Sequence, residues 1–326
     1  MTSRPNRRQM LAAMTALALT GAQAVAQTVG SGTEPIRVIV PLPAGGAADA
    51  TVRMLVAAMQ NQTKQTLIVD NRPGGNFTIG MQAIGRAAPD GLTLLHINIG
   101  MVSTQAALRK FDMEKTLAPI SLIATMPAVL VVPAKSPHQT VGDLVAWAKA
   151  NPGKLNYGSV GIGSMEHLWS SNFAKSQGFQ AVHIPFKGMP EASVALVAGD
   201  VQALPLIYSV AQPLIQKGLL RPLAMLDTQR HPGMPQVPTL KEAGIDAPPL
   251  RFWGGLVAPA GTPAPVIETL RRQIVAAAND ADYREKITAI GGIPVSSETS
   301  QSFAKLIADE LAWMTKAVKD ANLDLN

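Results

Sequence analysis

An α/β fold in two domains follows from three features of the sequence. Short apolar runs alternate with segments of helical periodicity, the order that builds mostly parallel sheets with crossover helices. Glycine-rich loops follow two of these runs, at the strand ends where open α/β sheets bind ligands. Behind a leader, about 300 residues remain, more than one hydrophobic core usually serves, so roughly two domains are expected.

The leader comes first. Arg4, Arg7 and Arg8 precede an uncharged stretch from Met10 to Ala26. That stretch is too short and too poor in large apolar side chains for a comfortable membrane span. Ala24-Val25-Ala26 has the form of a cleavage site, so residues 1–26 read as a signal peptide and the mature chain starts near Gln27. The Arg7-Arg8 pair leaves twin-arginine export open beside the general secretory route. The chain has no cysteine, which excludes a lipoprotein anchor, a disulfide framework and thiolate chemistry. An exported chain without an anchor is expected in the periplasm, where the host has an outer membrane. The net charge is +6, of which the three leader arginines supply half. The remaining basic residues are scattered and not interleaved with aromatics, which argues against nucleic acid as a partner.

The first unit is Ile36 to Met59: an apolar strand, the loop Pro41-Leu42-Pro43-Ala44-Gly45-Gly46, then a helix. Val52, Leu55, Val56 and Met59 fall at the spacing of one buried helix face. The glycines let a ligand approach main-chain N–H groups, and the helix N-terminus favours an anion there. Strand Thr66–Asp70 leads through a turn-rich segment to a helix around Ile79 to Ala87, and Pro89-Asp90-Gly91 turns into strand Leu92–Ile99. The apolar run from Ile120 to Val132, broken by Pro127, marks a first crossing between domains. Thr140-Val141-Gly142-Asp143 reads as a capping box opening a helix that Asn151-Pro152-Gly153 stops. Leu155–Tyr157 leads into the second glycine loop, Gly158 to Ser164, and a helix from Met165 to Lys175.

Strands Ala181–Ile184, Ala203–Ile207 and Leu220–Met225 follow, with a helix at Glu191–Ala198. His231 to Pro249 is rich in proline and reads as a surface crossover. Phe252–Ala258 returns as a strand, with Arg251, Phe252 and Trp253 expected in hinge packing. Thr262-Pro263 is expected to cap a helix with Val266, Leu270 and Ile274 inward, and a last amphipathic helix carries Phe303, Leu306, Ile307, Leu311 and Met314. The two crossings give a discontinuous first domain, residues 27–127 plus 251–326, and a second domain, 128–250. The two glycine loops then face each other across a cleft.

Neither Ser159 nor Ser164 has the flanking glycines of a nucleophile elbow, and Ser164 reads as a helix cap. Gly161-Ile162-Gly163-Ser164-Met165-Glu166 has glutamate where a dinucleotide fingerprint needs its third glycine, and no Walker lysine follows either loop. The loops therefore suit a carboxylate better than a phosphate. The five histidines show no metal-ligand spacing. His167, one turn into the helix after the second loop, can donate to a carboxylate. Asp49, in the first turn of the opening helix, is favoured by the dipole and placed to orient loop N–H groups. Lys187 is a cation beside a turn near the cleft, and reads first as a solvated surface lysine. No metal or other cofactor is expected.

The sequence resembles the substrate-binding receptors of tripartite tricarboxylate transporters, the Bug-type receptors. The resemblance spans essentially the whole mature chain and rests on seven motifs in order. They are Val40-Pro41-Leu42-Pro43-Ala44-Gly45-Gly46 with Asp49 and Arg53; Asp70-Asn71-Arg72-Pro73-Gly74; Pro89-Asp90-Gly91-Leu92-Thr93-Leu94-Leu95; Gly158-Ser159-x-Gly161-x-Gly163-Ser164-x-x-His167-Leu168; Pro185-Phe186-Lys187-Gly188; Pro238-Thr239-Leu240-x-Glu242-Ala243-Gly244; and Trp253-Gly254-Gly255-Leu256-x-Ala258-Pro259-Ala260-Gly261-Thr262-Pro263. It implies a two-domain periplasmic-binding-protein fold of type II-like form, each domain a mixed sheet flanked by helices. The domains close on a small organic carboxylate, which is delivered to the permease subunits of a membrane transporter. A monomer without chemistry on its ligand is expected.

Departures from the family pattern bear on the ligand. Leu42 stands where an aromatic is usual, and Phe77 stands in a stretch that is mostly small. From Val201 to Tyr208 the acid that many members carry is missing, which argues against an amino acid and for a mono- or dicarboxylate, an aromatic one included. The expected ligand-binding set is Leu42, Ala44, Gly45, Gly46 and Asp49; Phe77 and Asn98; Ser159, Gly161, Gly163, Ser164 and His167; and Tyr208. Two other readings stay open: an exported hydrolase or isomerase acting on a small acid, and the ligand-sensing receptor of a sensor kinase.

Overall fold

The protein was analysed as a computed structural model, which describes residues 34–109 and 111–320. The expected signal peptide lies outside the described residues. Strands β1 (Ile36–Val40), β2 (Leu67–Asn71) and β3 (Thr93–Asn98) run parallel with β1 in the middle, Val38 opposite Val69 on one side and Leu94 on the other. Each ends in a loop and a helix: α1 (Ala47–Thr63), α2 (Thr78–Gly85) and α3 (Ile99–Leu108). Val52, Leu55, Val56 and Met59 of α1 are buried, as their spacing predicts.

The expectation of mostly parallel sheets needs correction. After the short α4 (Met113–Thr116), a single 17-residue strand, β4 (Leu117–Pro133), runs antiparallel to everything it pairs with. Its first part pairs with β9 (Arg251–Pro259), down to Pro127 opposite Arg251. From Ala128 onward its partners are β7 (Leu204–Ile207) and β8 (Leu220–Met225). Pro127 therefore does not break the strand. It lies where the ladder changes partner, and a residue without an N–H is tolerated best where regular pairing is interrupted. β9 also pairs antiparallel with β3, so it joins the first three strands to β4.

Between these lie α5 (Val141–Ala150), β5 (Leu155–Ser159), α6 (Met165–Gln177), β6 (Ala181–Pro185), α7 (Met189–Ala198) and, after β7, α8 (Tyr208–Gln216). The capping box on α5 forms as its sequence predicts, the Thr140 side chain accepting from Asp143 N–H and the Asp143 carboxylate from Thr140 N–H at 2.8 Å. β5 and β6 are parallel. The proline-rich 231–249 stretch carries a bridge at Thr239 and no named strand.

After β9 come α9 (Ala264–Ala278), α10 (Ala281–Ala289), β10 (Ile293–Pro294) and α11 (Ser300–Asp320). Val266, Leu270 and Ile274 are buried as expected, but Thr262 does not cap α9. Its hydroxyl donates 2.7 Å back to Pro259 O, closing the turn out of β9, and Pro263 is the N-cap instead.

The β1–β3 sheet is covered on both sides, so its strands are apolar on both faces. Val38 and Leu94 pack with α1, α9 and α10, whereas Ile39, Leu95 and Ile97 pack in the core that holds Phe303 and Ile307 of α11. Gly80 of α2 is one position where glycine is required. A Cβ there would lie 2.6 Å from Pro41, so its absence lets α2 press on the loop after β1.

Candidate functional site

A cavity of about 660 Å³ opens at the carboxyl ends of β1, β3 and β5. Its wall contains five helix N-caps: Gly46 of α1, Phe77 of α2, Asn98 of α3, Ser164 of α6 and Ile207 of α8. Among the described residues, no lysine or arginine lines it. Helix starts present unpaired N–H groups and a partial positive charge, so the cavity attracts an anion without a fixed cation.

The first loop is held by Asp49. Its Oδ2 accepts from Gly45 N–H and Arg53 Nε, and its Oδ1 from Asn71 Nδ2, each at 2.9 Å. Asn71 Nδ2 also reaches Leu42 O at 3.2 Å. Burial pushes the Asp49 carboxyl up, but these donors and the Arg53 charge outweigh it and hold it at about 2. Asp49 thus orients the loop, as one of its sequence readings anticipated. The Gly45 N–H is spent on it, and neither Gly45, Ala44 nor Asp49 lines the cavity. From this segment Leu42, Pro43, Gly46 and the helical residues Ala47, Ala48 and Thr51 line it.

The second loop is similarly self-satisfied. Gly161 N–H donates to Ser159 Oγ at 3.0 Å, Gly163 N–H to His167 Nδ1 at 3.1 Å, and Ser164 N–H to Gly161 O at 3.2 Å. The Ser164 hydroxyl caps α6 by accepting from His167 N–H, as expected. Gly163 and Ser164 line the cavity, whereas Ser159, Gly161 and His167 stand behind it. Since His167 Nδ1 accepts a hydrogen bond, the neutral ring carries its proton on Nε2. His167 stacks on His183 at 3.7 Å, and His183 Nε2 lies 2.6 Å from the Oγ of fully buried Ser159. Burial, with His183 beside it, lowers His167 to about 4, and burial lowers His183 to about 4. The Ser103 hydroxyl of α3 donates 2.6 Å to Gly163 O and ties this loop to the first one's side of the cavity.

One further expectation is corrected. Tyr208 is the first residue of α8, 3 % exposed, and packs against His231 with ring centroids 3.8 Å apart, so its neighbour Ile207 faces the cavity instead. Phe252 and Trp253, expected in hinge packing, pair with Met126 and Thr125 next to where β4 changes partner and also line the cavity, while Arg251, opposite Pro127, pairs with Asp227 at 2.6 Å. Lys187 is exposed and away from the cavity. Phe77 and Asn98 line it as expected; Phe77 is held at φ 68°, and the Asn98 side chain accepts from Met101 N–H at 3.2 Å.

Sequence reasoning missed His96, Met126 and Glu166, all in the cavity wall. Glu166 looks locally like an ordinary acid in a first helical turn. It is 3 % exposed, and burial raises its carboxyl against the opposing hydrogen bonds of its own N–H and Ser164. His96 interrupts the apolar run Leu92–Ile99, as Asn98 does, a local hint that this strand does more than fill a core. Burial lowers it to about 4.

Comparison with known proteins gives a consistent result. The family model described as tripartite tricarboxylate transporter family receptor matches residues 51–323. A protein of Pseudomonas sp. (strain P51), named for the tcbD-tcbE intergenic region, is 34 % identical over 325 residues, which is 98 % of this chain and 96 % of that one. Among solved structures, MatC of Rhodopseudomonas palustris with bound malate has a TM-score of 0.71 at 26 % identity, covering 88 % of this chain and 99 % of its own. An R. palustris protein with adipate has a TM-score of 0.75 at 27 % identity, covering 89 % and 98 %.

Proposed function

Because the chain belongs to the tripartite tricarboxylate transporter receptor family, we propose that it captures a small organic mono- or dicarboxylate outside the cytoplasm and delivers it to a membrane permease. The family consists of solute-binding receptors, and the two relatives above hold malate and adipate. The observation that carries the reading is the convergence of five helix N-caps on one cavity whose wall has no lysine or arginine among the described residues. Such a site holds a carboxylate through main-chain donors.

In this reading the donors are the free N–H groups at the start of α1 and α6, not those of Gly45, Gly161 and Gly163. Gly46, Ala47 and Ala48 act on one side and Ile162 and Met165 on the other. Leu42, Phe77 and Asn98 shape the pocket between them. The described residues of 27–127 with 251–326 form one lobe and 128–250 the other, hinged where β4 changes partner between Pro127 and Ala128. The protein is exported by its leader, works in the periplasm as a monomer and needs no cofactor.

A thermal-shift screen over a carboxylate panel, followed by calorimetry on the hits, tests the function. At a hundredfold excess over Kd a ligand stabilises by about 2.7 kcal/mol. A panel of mono- and dicarboxylates that leaves Tm unchanged throughout would overturn the assignment.

A further inference from the structure

Among the described residues, Glu166 is the only acid that lines the cavity, and no lysine or arginine lines it as a counter-charge. It is the second residue of α6, next to the Met165 N–H assigned above to the ligand. Its carboxyl lies at that same helix start, bonded to its own N–H and to the Ser164 hydroxyl, and the residue is 3 % exposed. The acid end of a ligand anchored at α6 therefore shares one desolvated helix start with a carboxyl of the protein. Two carboxylates in such a site cannot both ionise without cost, so one of them gains a proton.

Neighbouring elements do not offset the pair. Helix α6 packs on β5, β6, β7, α3 and α11. Tyr157 of β5 and His183 of β6 stack with His167, and β7 and α3 carry no ionisable side chain. Helix α11 carries Lys305, Asp309, Glu310, Lys316, Lys319 and Asp320, α6 itself His167 and Lys175, and the rest of the cavity wall His96. Among the described residues, none of these charges is an influence on the Glu166 carboxyl; burial, the largest, pushes it up.

We propose that Glu166 makes solute capture proton-linked: the receptor takes up one proton from solvent at Glu166 when it binds its carboxylate and returns it on release. The proposal rests on the carboxylate-receptor reading, with the start of α6 holding the acid group. The sign follows from linkage. A group whose pKa rises on binding gains a proton between its free and bound values, so affinity falls as pH rises through that window.

The test is calorimetry with malate, adipate, hexanoate and benzoate at pH 6 and 8.5, in buffers of small and large ionisation enthalpy at each pH. The dependence of the measured heat on the buffer counts the protons taken up. For an acid that binds, the wild type takes up protons within this range and its affinity falls by about tenfold between the two pH values, the size of a coupling of one pKa unit. Glu166→Gln, the neutral isostere of the protonated acid, binds that acid about tenfold tighter than wild type at pH 8.5, without proton uptake. Glu166→Ala likewise takes up no proton. Cooperative thermal unfolding certifies either variant as folded, and one folded variant is sufficient. A wild-type affinity that is the same at both pH values with no proton taken up overturns the proposal. So does uptake that persists in a folded variant, which assigns the proton to His96 or another group. A folded Glu166→Gln that binds none of the acids held by wild type also overturns it. All three results leave the receptor reading standing, whereas failure of all four acids to bind overturns both.

Discussion

Replacing Asp49 with alanine tests how the first loop is built. The Asp49 carboxylate is 3 % exposed and takes hydrogen bonds from Gly45 N–H, Arg53 and Asn71. Burial opposes its ionisation, the three donors more than compensate, and its pKa falls from 3.8 to about 2. One unit corresponds to 1.36 kcal/mol, so the charged form contributes about 2 kcal/mol to folding. A depressed acid contributes this in full above its unfolded value and loses it as pH falls through the folded one. The variant is therefore expected to be less stable by about 2 kcal/mol at pH 7. The gap closes between pH 4 and 2. Arg53 and Gly45 reach solvent once the carboxylate is gone, and Asn71 keeps its bond to Leu42 O, so no buried donor is stranded and the cost should not exceed this figure. Urea unfolding of both proteins at pH 7, 5 and 3 measures it. A difference below about 0.5 kcal/mol at pH 7, the size of an ordinary surface change, or one that stays constant down to pH 3, would refute the account of the loop.

Gly46→Asp separates binding from folding. Gly46 has φ −79° and ψ 170°, and a Cβ there would meet nothing closer than Pro43 O at 3.6 Å. Aspartate is a favoured N-cap, so stability should hold or rise while its carboxylate competes for the anion site, and calorimetry should detect no carboxylate binding. Gly254→Ala should cost about 1–3 kcal/mol by overpacking His96, and the double variant with His96→Ala should recover part of that loss in a denaturation cycle. Stability should also fall as pH drops from 6.5 toward 4. His96, His167 and His183 are held at about 4, and groups with lowered folded pKa bind protons on unfolding in that window. Fully buried His96 alone accounts for about 3 kcal/mol, and His96→Leu should flatten the pH profile accordingly. Ser103→Ala should lose about 1 kcal/mol and loosen the loop that carries Gly163, which faster amide exchange at Gly163 and Ser164 would report.

Much of the scaffold was legible in the sequence because its signals are local. The buried face of α1, the Thr140–Asp143 box and the Ser164 cap each lie within a few turns of chain, where spacing and residue type decide the outcome. Thr262 shows the limit of such rules. Its position suits a cap, but its hydroxyl finds Pro259 O, which belongs to the end of β9.

What residue order determined here is the α/β alternation, the two glycine loops after strands and, through seven motifs, the family; it also raised the expectation of a carboxylate rather than a nucleotide. What the tertiary structure decided is which groups face the cavity. Gly45, Gly161 and Gly163 looked like open donors, yet Asp49, Ser159 and His167 take their N–H groups. His96, Glu166, Phe252 and Trp253 were outside the expected ligand-binding set, yet they line the cavity. The reason is physical. A hydrogen-bond donor is free only if no other part of the chain reaches it, and a strand residue faces a site only through its register with a strand some 160 positions away, as Asn98 with Gly254. Neither condition is written in local spacing.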